Sequence, residues 1–149
     1  MKSLKEQLLE ICQLHVQKRI ASYKDEIETI KDAIENNDKS NDEDDDSGNG
    51  KLFNDLEKNA QYLSDAHNMQ DTLKLIQAKT SHQHVVLGSV VFTNSSTFFL
   101  AISLGKVPFE GTDYFIISKS SPIGTLLMNK TVGDTITFNG TSYTINQIK

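Results

Sequence analysis

The first part of the chain repeats hydrophobic positions at a helical period. Residues 4–35 contain neither glycine nor proline. From Val16 onward the hydrophobic residues alternate spacings of four and three, as in a coiled coil. The predicted stripe consists of Leu9, Val16, Ile20, Tyr23, Ile27, Ile30 and Ile34. At about 1.5 Å per residue this helix would be about 50 Å long, so we expect it to project from a compact domain.

A polar segment interrupts this pattern before it resumes. Residues 36–50 read NNDKSNDEDDDSGNG, and we predict an acidic tip loop over residues 36–51. The second hydrophobic stripe consists of Leu52, Leu56, Ala60, Leu63, Ala66, Leu73 and Ile76. Two striped helices joined by a polar loop can bury their stripes on each other. The sequence therefore predicts an antiparallel coiled-coil hairpin over residues 1–80.

The pattern changes to that of β-strands after residue 80. Residues 84–92, 97–104 and 113–118 are rich in β-branched and aromatic side chains, and Gly88 marks a bulge or a close approach. Asn139-Gly140 separates two further strands and is a strong hairpin signal. The predicted core consists of Phe98, Leu100, Ile102, Phe115, Ile117, Leu126, Leu127, Ile136, Phe138 and Ile145.

One short helix is predicted between these strands. Ser121 suits the N-cap, and Pro122 suits the first helical position, where its missing N–H needs no partner. This helix would run to about Asn129. The sequence thus predicts an α+β protein, in which the hairpin precedes a domain over residues 81–149 with about five antiparallel strands.

Charge divides the chain near residue 80. Residues 1–80 hold eleven lysine or arginine residues and seventeen acidic ones, a net charge of −6. Residues 81–149 hold four lysines and three acids, a net charge of +1. Neither part carries the clustered basic residues that neutralise nucleic-acid phosphates. Direct nucleic-acid binding by a basic surface is therefore not expected.

Candidate catalytic and metal-binding residues are few. Cys12 is the one cysteine in the sequence, so no disulfide or zinc knuckle is expected, and its helical position favours a packed thiol. The spacing of His82 and His84 could suit a metal, but a linker role is favoured because no cysteine or third ligand lies nearby in the sequence. Lys18 and Arg19 could contact RNA or a protein partner, or simply be solvated. No nucleophile–base pair or phosphate loop indicates an enzyme.

The start of the sequence has no signal-peptide pattern and no span of about 20 apolar residues occurs, so a soluble cytoplasmic protein without membrane contact is expected.

Two motifs resemble the bacterial Gre transcript-cleavage factors (GreA/GreB). Residues 121–134, SPIGTLLMNKTVGD, are similar to the family's C-terminal motif S-P-[IL]-G-x-x-L-[LM]-x-K-x-x-G-D. Residues 54–62, NDLEKNAQY, resemble its motif G-D-L-x-E-N-A-E-Y. The two motifs occur in the expected order and at the expected separation.

The resemblance implies a fold and a partner. The C-terminal domain would have an FKBP-like fold and would dock on RNA polymerase at the mouth of the secondary channel, through Ser121, Pro122, Ile123 and Gly124. The coiled coil would reach through the channel toward the active site. The factor would act as a monomer, would contact nascent RNA and DNA only indirectly, and would have no catalytic residues or cofactor of its own.

The same resemblance implies a shared Mg²⁺ at the tip of the coiled coil, held together with the polymerase. Asp55 matches the family's aspartate, but Lys58 stands where the family has glutamate, and a cation there repels a metal. Glu57 is adjacent but lies about 100° around the helix. The acidic loop could substitute, through Asp42, Glu43, Asp44, Asp45 and Asp46. Three alternatives stay open: stimulation of transcript cleavage, channel binding without stimulation, and a generic coiled-coil adaptor.

Overall fold

Two long helices form the first half of the protein. The computed structural model describes residues 1–40 and 46–149. Helix α1 spans Leu4–Ser40 and helix α2 spans Asp46–Lys74. The predicted loop over residues 36–51 is therefore too long, because helix continues into it from both sides. Asn, Asp, Lys and Ser cost well under about 1 kcal/mol each in a helix, and a helix already formed propagates readily through them.

Contacts divide the chain into two compact units. Unit 1 contains Met1–Gln13 and Thr72–Lys149, and unit 2 contains Leu14–Asp71. The contact division therefore cuts each long helix, whereas the change in charge lies near residue 80. The start of α1 and the end of α2 belong to the same unit as the strands.

Unit 2 is an antiparallel helical hairpin, as predicted. The Arg19 guanidinium contacts Met69 Sδ at 3.8 Å, and the rings of Tyr23 and Tyr62 lie 5.5 Å apart. Nearer the tip, Asn37 Nδ2 donates to Asn49 Oδ1 at 3.2 Å. Residues later in α1 contact residues earlier in α2, so the two helices run antiparallel.

The buried face of the helices differs in detail from the predicted stripes. Val16, Ile20 and Ile30 are buried as expected, but in the first turns Leu8 and Cys12 are buried while Leu9 is only half-buried. A straight helix with 3.6 residues per turn drifts away from a heptad spacing. In unit 1, moreover, α1 packs within the unit that holds the strands.

The inward face of α2 also differs from the prediction at one position. Ala60 is exposed, whereas the neighbouring Asn59 is half-buried. The prediction placed Ala60 on the buried stripe because alanine is hydrophobic. The spacing of the buried positions along α2 instead turns Asn59 toward the buried face.

The described residues contain six strands, one more than predicted. They are β1 (Val90–Thr93), β2 (Thr97–Leu100), β3 (Gly105–Phe109), β4 (Thr112–Ile117), β5 (Thr135–Phe138) and β6 (Thr141–Ile148). Their order across the sheet is β3-β4-β2-β1-β6-β5. The sheet is mostly antiparallel, as predicted, although β2 and β4 pair in parallel. Strand β3 escaped prediction because Gly105 and Pro108 are usual signals of a loop, and Pro is tolerated in an edge strand.

The residues before β1 form turns instead of the predicted strand. Gly88 has φ +91°, and a Cβ added there would lie 2.9 Å from Ile76 Cγ2. The predicted close approach is thus confirmed. Helix α3 spans Pro122–Leu127, slightly shorter than predicted.

One hydrophobic cluster fills one face of the sheet. Its buried members are Val85, Val91, Phe98, Leu100, Leu127, Ile136 and Ile145. Phe115 and Ile117 pack against it, as predicted. Leu126 does not, because it is 39% exposed on the outer face of α3.

Candidate functional site

A turn closed by Ser121 opens helix α3. Ser121 has extended backbone, and its Oγ accepts a hydrogen bond from the Gly124 N–H at 3.0 Å. The same hydroxyl donates to the carbonyl of Ser118 at 2.8 Å. Ser121 therefore satisfies an otherwise orphaned helix N–H and ties the helix to the end of β4.

Gly124 permits the closeness of this turn. A Cβ at this position would lie 2.1 Å from the Ser118 carbonyl oxygen and 2.7 Å from Ser121 Oγ. No L side chain fits at that separation, although the glycine has no positive φ. The third residue of the motif, Ile123, is half-buried and packs against the core cluster.

The outer side of α3 is apolar and accessible. Pro122 is exposed, and Leu126 is one helical turn further along, so the two share a face. All four predicted docking residues thus lie in one turn, where two of them fix the backbone. The arrangement presents a rigid, partly apolar surface that suits contact with a protein.

A second turn follows α3. Asp134 Oδ2 accepts from the Thr131 N–H at 2.8 Å and from Thr131 Oγ1 at 3.2 Å. Mainly because of the bond from the Thr131 N–H, the pKa of Asp134 is below its ordinary value. Gly133 adopts φ +96° between them and donates its N–H to the Ile145 carbonyl. The Gly-Asp end of the motif therefore locks the chain onto β6.

The predicted metal-binding positions lie on α2. Asp55 is half-buried, and its main-chain carbonyl accepts from Asn59 Nδ2 at 2.9 Å. Lys58 and Glu57 are both exposed. Within the described part of the chain, no group of three or more His, Cys, Asp or Glu side chains is arranged to hold a metal ion.

The acidic tip is only partly within the description. Asp42, Glu43, Asp44 and Asp45 lie outside the described residues, and Asp46 is the first residue of α2. Metal binding by these five residues stays a prediction.

The two histidines before β1 do different things. His82 Nδ1 lies 2.9 Å from Ser89 Oγ, which also accepts the Val86 N–H at 2.9 Å. Burial, and then the charge of Lys5, lower the pKa of His82. His84 is exposed. His82 therefore helps to fasten the segment between α2 and β1, which is consistent with the linker interpretation.

Cys12 is a packed thiol, as its helical position indicated. It is fully buried, and burial raises its pKa to about 12, far above that of a reactive cysteine.

Sequence reasoning missed Lys5, which is almost completely buried in the first turn of α1. The available signal was its spacing: Lys5 lies three residues before Leu8 and four before Leu9, so it shares a helix face with hydrophobic residues.

Comparisons with known proteins find likeness only among solved structures. No protein-family model matches the chain, and no curated protein matches it. The chain is similar to a structure of the transcription factor Gfh1, with 16% identity, a TM-score of 0.36, and coverage of 89% of this chain and 88% of that one. It is also similar to Thermus aquaticus Gfh1, at 18% identity and a TM-score of 0.34 over 91% and 92% of the two chains.

A third similar structure is GreA factor homolog 1 (Gfh1) of Thermus thermophilus. The identity is 19% and the TM-score 0.36, with coverage of 95% of this chain and 94% of that chain. Scores and identities this low do not establish a shared function. Among the described residues, no helix combines the length and hydrophobicity needed to cross a membrane.

Proposed function

We propose that this chain is a Gre-like transcription elongation factor that binds RNA polymerase at its secondary channel. The observation that carries the proposal is the turn at residues 121–124. The residues that resemble the Gre motif are those that fix this turn, because Ser121 caps the helix and Gly124 permits its approach to Ser118. The turn leaves Pro122 and Leu126 accessible for a protein partner.

A binding experiment tests this docking surface. Leu126→Glu places a charge on the exposed face of α3, so we expect it to reduce capture of bacterial RNA polymerase at least tenfold. Leu75→Glu is the matched control, because Leu75 is also an exposed leucine of unit 1 but lies outside α3. Equal capture by both variants, or none by the unaltered protein, contradicts the proposal. The second result favours an adaptor for another protein.

The tip determines whether binding leads to transcript cleavage. In the proposed mechanism the polymerase performs the chemistry, and Asp55 would help to hold a Mg²⁺ shared with it. Mg²⁺ takes oxygen ligands and keeps several waters, so one added carboxylate can orient it. Lys58 lies one turn from Asp55 on the same helix and opposes a cation. This lysine specifically favours the alternative of a channel-binding regulator that does not stimulate cleavage.

Shortening of the transcript in stalled, backtracked polymerase complexes separates the two alternatives. If the missing carboxylate is the limiting defect, Lys58→Glu raises cleavage, and Asp55→Ala abolishes the gain. Lys24→Glu is the control, because it reverses the same charge at an exposed position of the hairpin on α1, outside the motif. Should Lys58→Glu bind the polymerase without any gain in cleavage, the metal-sharing mechanism is excluded for this chain while the docking proposal stands.

A further inference from the structure

A cavity of about 540 Å³ opens within unit 1, away from the residues of the proposed docking turn. Its walls are residues 3–6 at the start of α1, residues 78–81 after α2, Val90, and residues 147–149 at the end of β6. Sites for small molecules commonly enclose about 300–1,000 Å³. The cavity is therefore large enough for a small ligand.

Lys5 supplies a buried positive charge at this cavity. The residue is only 5% exposed, and its Nζ donates to the Thr80 carbonyl at 2.7 Å. An ammonium group has three N–H donors, and among the described residues neither a second acceptor nor an ion-pair partner is found for this one. Burying a charge without an opposite charge is costly, so an anion at this position would stabilise the protein.

The start of α1 offers further donors. Ser3 Oγ accepts the Glu6 N–H at 3.2 Å, which satisfies one N–H of the first turn. The N–H groups of Leu4 and Lys5 have no acceptor within the described part of the chain. They also lie at the positive end of the helix dipole, where phosphate groups bind in many proteins.

The remaining charges of the lining are mainly positive. Lys79 and Lys149 line the cavity, and neither forms an ion pair with a described residue. Among the described residues of the lining, Glu6 is the one acidic side chain. Three ammonium groups therefore face a single carboxylate.

We propose that this cavity binds the phosphate group of a small molecule, with Lys5 and the free N–H groups of α1 as its principal ligands. The phosphate is either free, as in inorganic phosphate or pyrophosphate, or carried by a nucleotide. The proposal goes beyond the proposed function and does not depend on it, because it uses no residue of the docking turn or of the hairpin tip.

Calorimetric titration of the full chain tests the site, with chloride keeping the ionic strength constant. The ligands are inorganic phosphate, pyrophosphate, AMP and ADP. We expect the unaltered protein to bind phosphate and Lys5→Gln to bind it at least about tenfold more weakly, because a charge-assisted hydrogen bond is lost. Glu6→Gln should bind more tightly, since it removes a repelling carboxylate. Lys119→Gln, at an exposed lysine outside the cavity, should match the unaltered protein.

The outcomes separate the sources of the phosphate and the ways in which the proposal fails. Nucleotides that bind at least tenfold more tightly than inorganic phosphate identify a nucleotide site, whereas tighter binding of inorganic phosphate or pyrophosphate identifies free phosphate. No binding by the unaltered protein, or equal binding by Lys5→Gln, overturns the proposal.

A second variant covers the case in which Lys5→Gln does not fold. The double change Lys79→Gln with Lys149→Gln alters exposed side chains only, and circular dichroism would verify its folding. We expect its phosphate affinity to fall at least threefold. An unchanged affinity in this variant also overturns the proposal.

Discussion

At the scale of single residues, Gly124 is a position where the fold leaves no room for a side chain. A Cβ there would lie 2.1 Å from a backbone oxygen that the capped turn holds in place. We expect Gly124→Ala to destabilise unit 1 by about 2 kcal/mol, because the turn must open to admit the methyl group. Amide hydrogen exchange read by mass spectrometry would show faster exchange in α3 and in the strands beside it.

Gly50 provides a control for that experiment, because the same substitution there should stabilise the protein. It lies in α2 with nothing within 4 Å of an added Cβ. Gly50→Ala should therefore stabilise the hairpin by about 0.5–1 kcal/mol, since alanine costs less conformational entropy in a helix. Faster exchange in Gly50→Ala, or unchanged exchange in Gly124→Ala, contradicts the account of the two glycines.

Asp134 makes the second turn sensitive to acid. Because its folded pKa is lowered, its carboxylate contributes stability above the pKa of an unfolded aspartate, about 3.9. That contribution is lost as the pH falls through the folded pKa. We expect Asp134→Asn to be less stable than the unaltered protein to urea at pH 7, and the difference to shrink below about pH 4. A difference of constant size from pH 7 to pH 2 would mean that the charge of Asp134 is irrelevant.

At the scale of elements, Ala60 and Ala66 distinguish the two faces of α2. The hydrophobic pattern placed both on the buried stripe, but Ala66 is buried and Ala60 is exposed. We expect Ala66→Leu to destabilise the hairpin by about 1–3 kcal/mol through overpacking. Ala60→Leu should change its stability by less than about 0.5 kcal/mol. Urea denaturation followed by helical circular dichroism measures both, and a larger effect at Ala60 would restore the predicted stripe.

Local signals in the sequence located most of the elements but not their pairing. The heptad spacing from Val16 onward predicted the hairpin, and Asn139-Gly140 predicted the turn between β5 and β6, since both signals act between near neighbours. The parallel pairing of β2 with β4 depends on contacts distant in the sequence, so the pattern of each strand could not reveal it. Residues 121–124 were predicted as a cap, while the buried Lys5 was missed because a lysine in a helix is usually solvated.

At the scale of the whole molecule, the contacts place the first residues of α1 with the strands rather than with the hairpin. Leu8 and Cys12 are fully buried in the unit that also holds Val90, Phe99 and Ile116, all three fully buried. Strand register places the latter three on one face of the sheet, opposite the face that Phe98 and Leu100 fill with the core cluster. We therefore expect residues from outside 81–149 to help bury this second face.

A chain reduced to residues 81–149 should accordingly fail to fold stably, although the change in charge suggests a domain there. A chain that joins residue 13 to residue 72 through a flexible linker of about ten Gly and Ser residues retains all of unit 1. We expect this joined chain to unfold cooperatively and to give well-dispersed amide resonances in NMR. Residues 81–149 alone should give poorly dispersed amide resonances. Removing Leu8 tests the cause, because Leu8→Ala in the joined chain should cost about 2–5 kcal/mol. Stable, cooperative folding of residues 81–149 alone would show instead that the strands form a core without α1.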